Sequence, residues 1–155
     1  EECRDCFMAK EDWVLVGADA SGLELRMLAH YMRDDDYTKE LLNGDIHTKN
    51  QEAAGLPDRD KAKTFIYAYL YGAGDAKIGS IIGGNASDGK EIKARFLSQT
   101  PALARLQSKV AEQASSGWVP GLDGRKVWVR SEHAALNTLL QSAGAIVMKQ
   151  ALTLL

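Results

Sequence analysis

The chain has little cysteine, no dominant charge sign and no long hydrophobic run. Two of its 155 residues are cysteine, Cys3 and Cys6, in a single C-x-x-C. A structural zinc site needs four ligands and no second pair follows, so that class is excluded. A redox C-x-x-C belongs beside a βαβ pattern, which this N-terminal stretch lacks, so the pair reads as plain reduced thiols. Nineteen Lys+Arg against 21 Asp+Glu leave a formal net charge of −2. A stand-alone nucleic-acid binder would carry a basic patch and a high pI. A nucleotide site needs only a few placed cations and stays open. There is no secretory signal and no apolar run long enough to span a bilayer, so no membrane partner is expected. The sequon Asn85-Ala86-Ser87 has no meaning without secretion. Internal repeats and low-complexity linkers are absent too. The chain opens without Met and closes on the apolar helical pattern Ala151–Leu155, which has no stop signal; the expectation is a segment of a longer protein.

What is present centres on Arg59–Gly72. Asp58 after Pro57 is the expected N-cap, and Gly72 suits the left-handed position that ends a helix. At about 100° per residue, Ala62, Phe65, Ile66 and Tyr69 share one arc and read as core. Arg59, Lys63, Tyr67 and Tyr71 recur every four residues along the next arc. Cations suit phosphates and an aromatic face suits a base or sugar. The stripe reads either as a nucleoside phosphate site or as a solvated basic face with tyrosine packed beside it.

Upstream, Trp13–Ala18 is an apolar run that predicts a short strand buried on both faces, with Asp19 at its end. A carboxylate there can hold a metal or form an Asx-turn. Leu23–Met32 predicts a helix with Leu25, Leu28, Ala29 and Met32 inward, and Glu24 in its first turn complements the helix dipole. A short helix should follow Asp34 and end at Gly44. Another, capped by Asp45, should run to Gly55 with His47 in its first turn. Further on, Gly74–Ile82 is expected to be a short helix. Gly84–Lys90 fits the first seven positions of a P-loop, but Glu91 stands where Ser or Thr should bind magnesium. Asp88 and Glu91 instead have the spacing of a capping box. Asp88–Ser98 and Pro101–Ala114 predict helices, the second with Thr100 as N-cap and Pro101 at N1. Leu122-Asp123-Gly124 marks a hairpin between Trp118-Val119 and Lys126–Val129. A last helix from Ser131 should bury Leu136, Leu139, Leu140, Ala143 and Val147, with Asn137 and Gln141 one turn apart on the polar side.

Taken together, Asp19-Ala20-Ser21-Gly22-Leu23-Glu24-Leu25-Arg26 and Arg59–Gly72 resemble motifs A and B of the family A (Pol I-type) DNA polymerases. Asp45–Asn50, Gly121–Val127 and Leu136–Gly144 are similar to the replicative type found in short-tailed coliphages. Five matches in the family's order cover nearly the whole chain.

The resemblance implies an α+β, predominantly helical fold. It would be part of the palm, with short antiparallel strands, plus the helical fingers of a right-hand polymerase. Residues 1–155 would be a single fragment, with about 12–33 palm, about 34–130 fingers and about 131–155 a returning palm helix. The implied reaction is template-directed transfer of a deoxynucleoside monophosphate to a primer 3′-hydroxyl in phage DNA replication. The implied partners are primer-template DNA, dNTPs and the rest of the polymerase chain, in the bacterial host cytoplasm. Such transfer uses two Mg2+ ions about 3.5–4 Å apart. Asp19 and the Ala20 carbonyl would hold metal. Arg59, Lys63 and His47 would clamp the triphosphate, with Lys63 also acting in catalysis. Glu24 and Tyr67 would sit by the sugar and nascent base pair. Tyr71, Asn137 and Gln141 would face DNA. The family's second carboxylate comes from a later His-Asp pair, and His30, His47 and His133 are followed by Tyr31, Thr48 and Ala134. The isolated chain is therefore expected not to extend primers. Two other classes stand beside this reading: a P-loop nucleotide hydrolase using Lys90, and a non-enzymatic helical nucleic-acid-binding domain.

Overall fold

A computed structural model describes residues 2–154. The elements run α1 (Glu2–Asp5), α2 (Leu23–Met32), α3 (Asp35–Asn43), α4 (Ile46–Ala54), α5 (Arg59–Leu70), α6 (Asp75–Ser80), α7 (Ala86–Gln99) and α8 (Pro101–Ala114). A hairpin of β1 (Trp118–Pro120) and β2 (Lys126–Trp128) follows, then a 3-10 turn at Glu132–Ala134 and α9 (Ala135–Leu152). The class is α+β and mostly helical, with one two-stranded antiparallel sheet among the described residues. No helix among them is long and apolar enough to cross a membrane.

Local chemistry accounts for most boundaries. The side chains of Asp34, Asp45 and Asp58 accept from backbone N–H groups of Tyr37, His47 and Lys61 and so cap α3, α4 and α5. α5 ends at Gly72, whose φ of 76° is left-handed. Gly72 and Ala73 donate their N–H groups to the carbonyls of Tyr69 and Ala68, which would otherwise be left open at the helix end. Trp118 pairs with Trp128, Val119 with Val127 and Pro120 with Lys126, closed through Gly121–Gly124.

One core links the helices. α2 packs on α3, α8 and α9, and α4 packs on α5 and α7. Leu25, Leu28, Phe65, Ile66, Phe96, Leu103 and Leu140 are almost wholly buried. Phe65, Tyr69 and Phe96 form an aromatic cluster, with Phe65 and Phe96 edge to face at 5.1 Å and 89°. α6 and α7 touch backbone to backbone: a Cβ on Gly89 would lie 1.9 Å from the Asp75 carbonyl oxygen.

Four expectations need correction. Trp13–Ala18 is not a strand. Its backbone is irregular, and Trp13, Val14, Leu15 and Val16 are 73%, 80%, 67% and 89% exposed. Hydrophobicity marks a segment that favours burial, but a strand forms only against a partner, and none of the described residues pairs with this run. The sheet lies instead at 118–128, within the span assigned to the fingers. The capping box of α7 is Asn85 with Asp88, and not Asp88 with Glu91. Asn85 accepts from Ser87 and Asp88 while the Asp88 carboxylate accepts the Asn85 N–H, so the helix starts two residues earlier. Thr100 precedes α8 but makes no side-chain cap; its hydroxyl donates back to the Phe96 carbonyl. In α9 the buried residue of the last turns is Ile146, with Val147 only half-buried. Leu155, at the end of that predicted span, lies outside the described residues.

Candidate active site

The stripe on α5 forms because its opposite face is anchored. Ala62, Phe65, Ile66 and Tyr69 are buried, which leaves Arg59, Lys63 and Tyr71 exposed and Tyr67 half-buried on the adjoining arc. Burial of one face thus fixes the rotation of the helix about its axis. Across from its N-terminal half stands α4. His47 lies with its ring 6.2 Å from that of Tyr67. Burial, then the charges of Arg59 and Lys63, push the His47 imidazole below its ordinary pKa, with Asp45 opposing. Both cations therefore bear on one imidazole, from the same side of α5.

Arg59 does not wait free. Its guanidinium grips Asp45 with two hydrogen bonds, Nε to Oδ2 and Nη2 to Oδ1 at 3.1 Å. Asp45 also accepts from the His47 N–H and the Thr48 hydroxyl, and Arg59 above all holds its carboxyl well below the usual range. By its local spacing Asp45 reads as a helix cap. No spacing rule links it to Arg59, which lies on another helix. Lys63 has no carboxylate partner among the described residues and is the uncompensated cation of the stripe.

Behind His47, Asn50 is fully buried on the inner face of α4 beside the Tyr37 hydroxyl, which burial pushes up to about 12. Neither residue is a candidate in the sequence, since an Asn at i+3 from a His has no distinctive pattern.

The C-terminal end of α5 meets α2 and α9. The Tyr71 hydroxyl donates to Glu24 Oε1 at 3.2 Å. Gln141 Nε2 donates to the Tyr71 oxygen at 3.1 Å and to Glu24 Oε1 at 3.4 Å. Asn137 lines the same cleft with Leu70 and Leu140. Tyr67 feels the charge of this group as well: burial raises its pKa first, then the Glu24 and Tyr71 charges. Glu24, Tyr67, Tyr71, Asn137 and Gln141 are brought together, and His47, Arg59 and Lys63 adjoin them through Tyr67.

Asp19 and Ala20 lie in the irregular segment before α2, with Asp19 exposed. No three His, Cys, Asp or Glu among the described residues are placed to hold a metal. Asp19 offers one carboxylate, so the residues present do not fit a two-metal centre. Lys90 is part of α7 and exposed, after a turn and not a strand. That removes the strand–loop–helix setting a P-loop requires.

The titration of His47 is a direct check on this geometry. Its folded pKa lies below the unfolded value, so the fold favours the neutral ring. The associated stability is present above the unfolded pKa and lost as pH falls through the folded one. The His47 ring proton in an NMR titration should show a midpoint below about 6.5, the ordinary value. Lys63→Ala should move that midpoint up. An unmoved midpoint would separate the two side chains.

The sequence model of DNA polymerase family A matches residues 1–155. The chain is 53% identical to the DNA-directed DNA polymerases of Enterobacteria phage T3 and Escherichia phage T7, over 96% of this chain and 25% of each relative. It is 28% identical to DNA polymerase I of Geobacillus stearothermophilus, over 96% of this chain and 20% of that protein. The chain thus spans about a quarter of the length of these curated relatives. Its fold matches the POL domain of Pol1 from M. smegmatis, solved in complex with DNA primer-template and dNTP, with a TM-score of 0.72 at 22% identity. That match covers 86% of this chain and 27% of the other. The motif order, the helix that carries the cationic and aromatic stripe, and the family match over every residue together place this chain in DNA polymerase family A.

Proposed function

We propose that this chain is the nucleotide-selecting part of a phage-type DNA-directed DNA polymerase, transferring dNMP units to a primer 3′-hydroxyl. The observation that carries the reading is one continuous face. Lys63, with His47 beside it, offers positive and hydrogen-bonding character to a triphosphate, and one turn on, Tyr67 leads to Glu24, Tyr71 and Gln141. In this reading Arg59 exchanges Asp45 for a phosphate oxygen. Lys63 stabilises the charge that develops on the pyrophosphate leaving group. Tyr67 stacks on the nascent pair. Tyr71, Asn137 and Gln141 line the DNA side. Divalent-metal dependence is general to the family, and Asp19 with the Ala20 carbonyl is the part of that donor set this chain would supply. Residues of about 12–33 and 131–155 are assigned to the palm and those of about 34–130 to the fingers. The M. smegmatis relative, held with primer-template and dNTP, supports the kind of partner. Equilibrium titration of a dNTP against an active polymerase carrying this segment and its Arg59→Ala variant tests the reading; equal affinities and equal salt dependence would remove it.

Sugar selection belongs to the same face. A carboxylate held by Tyr71 and Gln141, whose charge also bears on Tyr67, leaves little room for a 2′-hydroxyl. Glu24→Ala in an active polymerase carrying this segment should raise ribonucleotide incorporation relative to deoxynucleotide by about 10-fold or more. Measured kcat/KM ratios for UTP and dTTP that did not change would leave Glu24 as a helix-dipole acid.

A further inference from the structure

The opposite end of α2 from Glu24, roughly 13 Å along its axis at 1.5 Å per residue, opens onto a cavity of about 500 Å3. His30 comes from α2 and Arg33 is the residue that caps it, Arg105 and Lys109 come from α8, and no carboxylate among the described residues lines it. None of the three cations has an ion pair among the described residues. Arg105 and Lys109 stand four residues apart on one helix, where like charges repel. Tyr31 is also in the lining, with its hydroxyl turned into the protein and buried. His30, exposed, stands edge-on to the Tyr31 ring at 5.3 Å. In a chain of net charge −2, three cations without an ion pair among the described residues around one concavity are conspicuous. Every charged group of the described lining is positive, so a ligand that fits it is anionic and rich in acceptors.

We propose that this cavity binds the phosphodiester backbone of single-stranded nucleic acid, with Arg33, Arg105 and Lys109 on successive phosphates and His30 as a stacking surface for a base. Single-strand sites combine a cationic groove with rings on which bases stack, and both are present. A duplex is a convex rod that would not enter such a cavity, whereas a flexible strand can. An acidic peptide would satisfy the cations but make no use of the exposed ring. The site lies on α2, α8 and the loop after β1, away from Lys63, and does not rest on the polymerase reading.

The test is fluorescence anisotropy of labelled oligo(dT) on the protein across a salt series, comparing wild type with the Arg33→Ala/Arg105→Ala/Lys109→Ala variant. For single strands each phosphate contact contributes about 0.7 to the slope of log K against log salt. The triple variant should lose about 2 from that slope and bind about tenfold more weakly or worse at low salt. His30→Ala should weaken binding without changing the slope. The triple variant with lysine at positions 33 and 105 and arginine at 109 should keep the slope, and circular dichroism of each variant verifies folding. The same slope in wild type and a folded triple-alanine variant would overturn the proposal. Two other results would also overturn it: charge-dependent binding of poly-glutamate with oligo(dT) indifferent to the variants, or saturation by inorganic phosphate alone with no dependence on oligonucleotide length. A dTTP titration on the same variants reads the Lys63 face separately, so the failure of either reading is visible without the other.

Discussion

Lys63→Ala, placed in an active polymerase carrying this segment, is expected to slow nucleotide incorporation by roughly 10²–10³-fold, the usual effect of removing one preorganised electrostatic group. The loss should appear in the maximal single-turnover rate more than in dNTP affinity, because the charge that Lys63 would meet grows only as the pyrophosphate departs. Arg59→Ala should be milder and should act on affinity. Arg59 is already satisfied by Asp45, so a nucleotide gains only the difference between phosphate and carboxylate as its partner. Lys63 has no such partner to give up. Single-turnover incorporation at varied dNTP separates the two variants. Equal losses, or a Lys63→Ala rate within twofold of wild type, would return the stripe to an ordinary solvated helix face.

Phe65→Ala is expected to destabilise the fold by about 3–5 kcal/mol, the range for removing a buried Phe side chain and leaving a cavity. Phe65 is wholly buried against Tyr69 and Phe96, so α5 cannot collapse over the gap without breaking the edge-to-face contact with Phe96 on α7. The urea midpoint should fall at an unchanged m-value, and the thermal midpoint should drop by ~10 °C. Phe65→Leu should recover most of the loss, since it refills much of the volume. A cost below about 1 kcal/mol for Phe65→Ala would mean that α5 is held elsewhere. The variant also bears on function, because the face opposite Phe65 carries Lys63 and Tyr67; a helix free to rotate would no longer present them together.

The elements that were legible in the sequence are those whose causes lie within a few residues. Asp58 reaches the Lys61 N–H three residues on, Gly72 and Ala73 close α5 on carbonyls three and five residues back, and Leu25, Leu28, Ala29 and Met32 repeat with the helical period. Where two local devices competed, spacing alone chose wrongly. Asp88–Glu91 and Asn85–Asp88 have the same separation, and the helix begins at Asn85 because the Asp88 carboxylate is then free to accept its N–H. The candidate residues on α2, α4, α5 and α9 were readable too, but as types in an order, with their partners unknown.

The partners are set by tertiary structure. Arg59 and Asp45 are 14 residues apart, Tyr71 and Glu24 are 47, Gln141 and Tyr71 are 70, and Gln141 and Glu24 are 117. Trp13–Val16 shows the converse: its composition favours a buried strand, yet no described segment pairs with it and it stays exposed. The cationic cavity at the end of α2 likewise joins residues of three elements that share no local pattern. By itself the sequence determined most of the helices, the caps of α3, α4 and α5, the hairpin turn and the identity of the α5 stripe, since backbone hydrogen bonding and side-chain period act over one or two turns. Only the packing of α2, α4 and α9 around α5 decided which carboxylate holds Arg59, which cation stays uncompensated and which groups surround Glu24, because those contacts depend on where the chain returns in space.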